Sequence, residues 1–410
     1  MQTTLSTEFK DSKQGQAAEA ILRSCVHCGF CNATCPTYQI LGDELDGPRG
    51  RIYLIKHMLE GGEVGRSTQQ HLDRCLTCLN CQTTCPSGVE YGKLVAIGRE
   101  LVDERVPRPT AEKVARWFLR EGMTSALFAP LLKLVQRARP LLPARWARKI
   151  PRRAAAGAAL RPAQSRVRKV LLLAGCVQPA LLPNINAATA RVLDAAGIET
   201  LIAAGAGCCG ALRDHLSDRE GGLDDARRNV DAWWPRVADG TVEAIVMNAS
   251  ACGLAVKHYG EALAQDPDYA AKAARVSALA QDLSELLPEL LAALEHRLHP
   301  GTVGRLAFHA PCTLQHGQRL GGDLEAQLRA RGFAMSGAIH ERHLCCGSAG
   351  TYSLLQPALA NELRDRKVTN LLASDPQCII SANIGCIQHL QGGTAIPVKH
   401  WIEVLDEAIE

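Results

Sequence analysis

Seventeen cysteines stand out among the 410 residues of this sequence. Eight of them form two runs with the same spacing, C-x2-C-x2-C-x3-C, and proline follows each run. The eight residues are Cys25, Cys28, Cys31 and Cys35 in the first run, and Cys75, Cys78, Cys81 and Cys85 in the second. Three thiolates spaced in this way can bind three irons of one cubane from a tight loop, whereas the fourth is directed away from it.

The spacing is that of bacterial two-cluster ferredoxins and predicts two [4Fe–4S] clusters that exchange their fourth ligands. We assign cluster 1 to Cys25, Cys28, Cys31 and Cys85, and cluster 2 to Cys35, Cys75, Cys78 and Cys81. Zinc sites use pairs of C-x2-C rather than triplets. Disulfides are disfavoured because residues 1–15 contain no apolar signal segment, which predicts a cytoplasmic chain. Clusters relay single electrons and change no substrate bond, so we predict no catalytic residue.

The other nine cysteines lie between Cys176 and Cys386, and eight of them form an internal repeat. The matched positions are Cys176 and Cys312, Cys208-Cys209 and Cys345-Cys346, and Cys252 and Cys386. Three landmarks at nearly one offset indicate a duplication. Either set of four thiols could hold a third iron–sulfur cluster; we favour the set with Cys312, Cys345, Cys346 and Cys386 over the set with Cys176, Cys208, Cys209 and Cys252. The alternative is that these are buried structural cysteines.

Apolar runs of strand length alternate with helical periodicity in the second half of the chain. The predicted strands are 170–174, 198–203, 242–247, 305–309, 332–335 and 378–381, and the predicted helices include 184–196, 320–331 and 357–372. This alternation predicts a mostly parallel sheet covered on both faces. We therefore predict an α+β multidomain chain: a mainly helical ferredoxin-like domain (1–108), a basic helical linker (109–168) and two α/β Cys-Cys-Gly repeats (169–300 and 301–410).

The linker has an unusual charge pattern, because no Asp or Glu occurs from residue 122 to 169. Its basic residues from 137 onward are Arg137, Arg139, Arg145, Arg148, Lys149, Arg152, Arg153, Arg161, Arg166, Arg168 and Lys169. A short amphipathic helix is predicted around Leu131–Ala138. The segment is either a solvated connector or a docking surface for an acidic partner or an anionic membrane.

Composition limits the class of partner. The net charge of +4 and the 4% aromatic content argue against nucleic acid as a partner. No apolar run approaches the roughly 18 residues needed to span a bilayer. We therefore expect a cytoplasmic protein that is peripheral on the inner face of the cell membrane.

The tandem cysteine runs followed by two Cys-Cys-Gly repeats resemble a family of respiratory iron–sulfur subunits. This family includes subunits of heterodisulfide reductase, anaerobic glycerol-3-phosphate dehydrogenase and lactate-utilisation systems. Over nearly the whole length, the sequence is most similar to the glycolate oxidase iron–sulfur subunits. The segments that carry this resemblance are 25–31, 42–56, 186–194, 231–235, 311–316, 344–352 and 382–386.

The resemblance implies an electron-transfer subunit of a glycolate oxidase, an oxidoreductase complex that converts glycolate to glyoxylate. FAD is then expected only on partner subunits, and a membrane quinone or another acceptor receives the electrons. A lactate or glycerol-3-phosphate dehydrogenase subunit, a catalytic subunit like heterodisulfide reductase, and a redox sensor are the alternatives. The wider family ends each Cys-Cys-Gly motif in C-x2-C, whereas here His389 stands in the last position of the second copy. That leaves a four-thiolate cluster, a cluster with His389 as a ligand, or a site without metal.

Overall fold

The computed structural model describes residues 1–125, 127–141, 143, 150–151, 154–158, 165–337 and 339–409. Six of the basic residues named above therefore lie outside the described residues: Arg145, Arg148, Lys149, Arg152, Arg153 and Arg161. The first part of the chain is helical, as predicted. Its helices are Thr7–Lys10, Lys13–Ser24, Phe30–Ala33, Pro36–Leu41, Pro48–Leu59, Arg66–Asp73, Asn80–Thr84 and Tyr91–Arg105.

The longer helices of this part enclose one apolar core, in which Leu22, Ile55, Leu72 and Leu94 are fully buried. Two short helices, Phe30–Ala33 and Asn80–Thr84, begin inside the two cysteine runs. The core therefore holds the two runs against each other. After it come two helices, Thr110–Thr124 and Phe128–Ala138, which together we call the hairpin.

The first repeat is built on a four-stranded parallel sheet with the order β2-β1-β3-β4. The strands are β1 (Arg168–Leu172), β2 (Ile198–Leu201), β3 (Ala244–Met247) and β4 (Ala280–Asp282). Its helices are Gln178–Leu181, Asn184–Ala195, Ala211–Asp214, Arg219–Ala238, Ser250–Lys257, Tyr259–Ala262, Ala270–Leu279 and Leu287–Ala293. Every residue of β3 is buried, as expected for a strand covered on both faces.

The second repeat has a parallel sheet of order β5-β6-β7, with β5 (Leu306–His309), β6 (Cys378–Ser381) and β7 (Val398–His400). Its helices are Asp323–Ala330, Tyr352–Leu355, Pro357–Leu372, Ile384–Gln391 and Trp401–Glu407. The strand predicted at 332–335 is reduced to a single parallel bridge between Met335 and Leu306. That bridge occupies the position of β2, so both repeats share one strand order. The α+β fold class and the duplication are thereby confirmed.

The two repeats share one apolar core. Leu287 and Leu290 of the first repeat pack in the same cluster as Phe308 and Trp401 of the second. Across this contact Arg191 forms an ion pair of 2.5 Å with Asp406. The repeats are therefore a single packed unit, and their cysteine loops are held in fixed relation.

The Cys-Cys-Gly glycine is required by the backbone in both copies. Gly210 and Gly347 have φ values of +87° and +89°, and a Cβ on Gly347 would lie 2.4 Å from the carbonyl oxygen of Ala360. We expect Gly347→Ala to lower the free energy of unfolding by about 2 kcal/mol or more. Urea denaturation of the full chain measures this. Gly301→Ala is the control, because that Cβ meets nothing within 4 Å; equal loss in both variants would contradict the argument.

Candidate iron–sulfur centres

The thiols assigned to cluster 1 surround one cavity. The cysteines in its wall are Cys25, Cys28, Cys31, Cys81 and Cys85. Cys85 comes from the second run, so the exchange of the fourth ligand that the spacing predicted has a structural counterpart. Cys28 is exposed, whereas Cys25 is buried, and this cavity therefore lies near the protein surface.

The thiols assigned to cluster 2 surround a neighbouring cavity. The cysteines in its wall are Cys35, Cys75, Cys78 and Cys81. Pro48, Cys81 and Tyr91 line both cavities. Because the two cavities share a wall, two clusters bound there would be close enough to exchange electrons directly.

The backbone of the two runs is shaped for wrapping a cluster. His27 and Thr77, which occupy equivalent positions, have φ values of +55° and +50°. Two residues later, Gly29 and Leu79 have φ values of +87° and +61°. Non-glycine residues in the left-handed region are strained and persist where the surroundings require them. The same strain at the same positions of both runs fits two loops that each enclose a cubane.

Burial and the neighbouring thiols raise the pKa of two of these cysteines and so disfavour their thiolate forms. Burial raises the pKa of Cys31 to about 11. It also raises the pKa of Cys81 well above the ordinary value, and the neighbouring thiols Cys78 and Cys75 act in the same direction. Thiolate ligands therefore need positive charge among them, which iron supplies. The donor set fits two [4Fe–4S] clusters.

Each cavity also has one arginine in its wall, Arg49 for cluster 1 and Arg51 for cluster 2. Arg51 is 1% exposed and lies 3.3 Å from Asp46, and its Nε donates to the carbonyl oxygen of His71 at 2.7 Å. A cubane with four thiolates is anionic, so each guanidinium offsets that charge. Both arginines lie in segment 42–56, for which only a family resemblance, and no role at the clusters, was predicted; their position between the two cysteine runs was the available signal.

In the first repeat all four matched thiols meet. The thiols neighbour one another in the order Cys176, Cys208, Cys209 and Cys252. They follow the carboxyl ends of β1, β2 and β3, where parallel sheets bind ligands. The interaction with Cys176 lowers the pKa of Cys208 below its ordinary value. The buried carboxyl group of Asp225 lies near Cys208 and pairs with Arg228 at 2.7 Å.

In the second repeat the arrangement recurs with different surroundings. The thiols neighbour one another in the order Cys312, Cys345, Cys346 and Cys386. Cys312 also lies next to Cys78, an assigned ligand of cluster 2. The four thiols come from three separate segments of the chain, which the fold brings to one place.

Two histidines of the second repeat differ in their environment. His389 is engaged through Nε2 with the carbonyl oxygen of Ala360 at 3.0 Å. His309 is fully buried among the thiols, and burial lowers its pKa to about 3, so its ring is neutral. A cavity of about 320 Å3 lies where the two repeats meet the ferredoxin-like domain and is bordered by Cys78, Cys209 and Cys345.

Comparison with known proteins agrees with this geometry. Residues 21–89 match the family described as a 4Fe-4S dicluster domain. Residues 170–257 and 306–391 match the family described as a cysteine-rich domain. The chain is thus an iron–sulfur electron-transfer protein with two [4Fe–4S] clusters in its N-terminal domain and a duplicated cysteine-rich domain behind it.

Whole-chain relatives identify the family more narrowly. The chain is 52% identical to the glycolate oxidase iron–sulfur subunit of Escherichia coli, with 100% of both chains covered. It is 26% identical to a probable glycolate oxidase iron–sulfur subunit of Bacillus subtilis, covering 95% of this chain and 92% of the relative. Lactate utilization protein A of Geobacillus thermodenitrificans is also 26% identical, but covers 58% of this chain and 98% of that protein. The chain belongs to the family of glycolate oxidase iron–sulfur subunits, and the resemblance stated above is confirmed.

The two arginines give a test of the cluster environments. We expect Arg51→Gln to lower the reduction potential of cluster 2 by on the order of 60 mV, which corresponds to about 1.4 kcal/mol for one electron, because a nearby positive charge is lost. Arg49→Gln is the matched variant and acts on cluster 1, whereas Arg51→Lys keeps the charge. Redox titration followed by electron paramagnetic resonance measures both clusters. If Arg51→Gln and Arg49→Gln shifted the reduction potential of the same cluster by equal amounts, the assignment of one arginine to each cluster would be wrong.

Proposed function

We propose that this chain is the electron-transfer subunit of a glycolate oxidase, in which FAD-binding partner subunits oxidise glycolate to glyoxylate. The observation that carries the proposal is 52% identity over the full length to a subunit of that name. The lactate-utilisation relatives match only about three-fifths of the chain, which makes a lactate dehydrogenase subunit the second candidate.

The crossed ligand sets are part of this proposal. Cluster 1 uses Cys25, Cys28, Cys31 and Cys85, and cluster 2 uses Cys35, Cys75, Cys78 and Cys81. The supporting observation is that each set lines one of two neighbouring cavities, with Cys81 of the second set in the wall that the two cavities share. Cys28 is exposed, so a flavoprotein partner can deliver electrons at cluster 1. The contact between Cys78 and Cys312 then leads them from cluster 2 into the second repeat.

A third iron–sulfur cluster belongs to the second repeat in this proposal. The ligand set is Cys312, Cys345, Cys346 and Cys386. Lys367 is 2% exposed and faces these thiols, so a buried cation offsets an anionic cluster. In the first repeat Gly210 lies against Gly222 as Gly347 lies against Ala360 in the second, so Lys367 corresponds to Asn229, which is buried and uncharged. The nearby carboxyl group of Asp225 is paired with Arg228 at 2.7 Å. The charges therefore favour the second copy over the first.

The substrate assignment is tested on the assembled complex. We expect rapid reduction of a soluble dye with glycolate, slower reduction with D-lactate, and none with glycerol-3-phosphate. Cys78→Ser in this chain should abolish the dye reduction that depends on the clusters, while the flavin on the partners is still reduced by glycolate. Fast turnover of D-lactate without any of glycolate would replace the proposal by the second candidate.

A membrane quinone as acceptor requires a surface that reaches the bilayer, and we propose that the hairpin provides it. Among the described residues, no helix has the length and apolar character needed to cross a membrane. In helix Thr110–Thr124 no residue is buried, and Val114, Trp117 and Phe118 are 47%, 51% and 62% exposed on one face. The opposite face binds the protein through charge: Arg116 pairs with Asp73 at 2.9 Å.

The second helix of the hairpin is inverted in the same way. Leu127, Leu131 and Leu134 are 64%, 57% and 62% exposed, and their spacing places them on one face. The residue that is buried in this helix is polar, Gln136. Exposed Lys133 flanks the apolar face, and no acidic residue occurs from 122 to 169. Apolar and cationic groups together match an anionic lipid surface.

Vesicle sedimentation tests the hairpin. We expect the complex to bind vesicles in which a third of the lipid is phosphatidylglycerol, and to bind pure phosphatidylcholine weakly. Replacing Leu131 and Leu134 by serine should weaken binding by about tenfold or more, because two apolar side chains no longer enter the interface.

The control replaces two equally exposed apolar residues elsewhere, Ile202 and Leu354, and should leave vesicle binding within about twofold. Dye reduction with glycolate should be normal in both variants. Loss of the flavoprotein partners in the hairpin variant, with unchanged vesicle binding, would assign this surface to a protein partner. The domain boundaries 1–108, 109–168, 169–300 and 301–410 stay a prediction.

A further inference from the structure

The second repeat contains a buried nitrogen that nothing in the described protein satisfies. His309 is the last residue of β5 and is 2% exposed. Its Nε2 is enclosed and has no hydrogen-bond partner among the described residues. A buried polar atom without a partner is costly, and native proteins rarely retain one without a function.

The thiols of the third-cluster set lie next to this imidazole. The ligand atoms of His309, Cys346 and Cys386 all lie within 4.8 Å of one another, and all three residues are buried. Imidazole nitrogen and thiolate sulfur are both ligands of iron in proteins. The enclosed chamber therefore offers a fifth donor beside the four thiols.

Comparison of the two copies isolates the feature. The offset between Cys176 and Cys312 places Leu173 at the position of His309, and Leu173 is buried as well. Apolar packing is thus sufficient at this point of the fold. The histidine of the second copy is an addition that accompanies the buried cation Lys367.

We propose that His309 is a nitrogen ligand, through Nε2, of the iron–sulfur centre held by Cys312, Cys345, Cys346 and Cys386. The inference rests on the third cluster of the proposed function and names its ligand. It differs from the expectation based on the sequence motif, in which His389 was the candidate, because Nε2 of His389 is already engaged with Ala360. A neutral imidazole adds a donor without adding negative charge, so the reduction potential of the centre is higher than it would be with a thiolate at that position. The centre then attracts electrons from cluster 2.

Nitrogen hyperfine spectroscopy on the anaerobically purified complex tests this assignment. The reduced protein should show a strongly coupled histidine nitrogen, identified by labelling histidine with the heavier nitrogen isotope. His309→Leu, which installs the residue of the first copy, should lose this coupling. His389→Leu is the matched control and should keep it.

A conservative variant separates ligation from packing. His309→Cys should keep the iron content of the wild type, lose the nitrogen coupling and lower the potential of the third centre. Nitrogen coupling that persists in His309→Leu would contradict the ligand assignment. So would the absence of nitrogen coupling in a wild-type protein that contains three clusters. Either result would leave the proposed function intact.

Iron counting separates this failure from that of the proposed function. Three clusters correspond to about twelve irons per chain and two clusters to about eight. About eight irons in the wild type would remove the third cluster and with it the inference. The wild type could instead contain about eight irons and one zinc ion, with the zinc lost in His309→Leu. That result would also remove the third cluster and the inference, because the chamber would then hold a structural zinc ion.

Discussion

Thiolate ligation of two adjacent cubanes is the constraint on which the rest of this structure depends. Eight thiols surround two neighbouring cavities, and in the proposed ligand sets the fourth thiol of each cluster comes from the other run. The left-handed residues His27 and Thr77 appear at equivalent positions of both runs, as this geometry requires. The helical core around Ile55 and Leu94 holds the two runs at a fixed separation. Two loops without such a core would not keep this separation.

Charge is the second requirement, because clusters bound by thiolates are anionic. The chain places Arg51 beside cluster 2 and Lys367 beside the thiols of the second repeat, and both cations are buried. In the first repeat the position of Lys367 is occupied by the buried, uncharged Asn229. Two copies with the same four thiols and the same strand order have thus diverged in charge. In the proposed electron path, this divergence favours transfer from the exposed Cys28 inward to the second repeat.

The hairpin follows a different physical rule from the rest of the protein. Elsewhere most large apolar side chains enter the cores, whereas in the hairpin Trp117 and Leu134 face outward and Arg116 faces inward. A helix with this inverted pattern buries little apolar surface within its own chain. The hairpin follows the ferredoxin-like domain directly in the chain, and the proposed membrane contact would therefore lie beside the two-cluster relay.

The sequence by itself determined the two-cluster motif, the duplication and most strands, because spacing and periodicity are local properties. It missed β4 and β7, which are three residues long and too short to show a period. Only the tertiary structure decided which cavity each cysteine lines, that Cys312 meets Cys78, and that His309 rather than His389 points an unengaged nitrogen at the thiols. These facts depend on contacts between segments far apart in the chain, and such contacts are fixed by packing rather than by the identity of neighbouring residues.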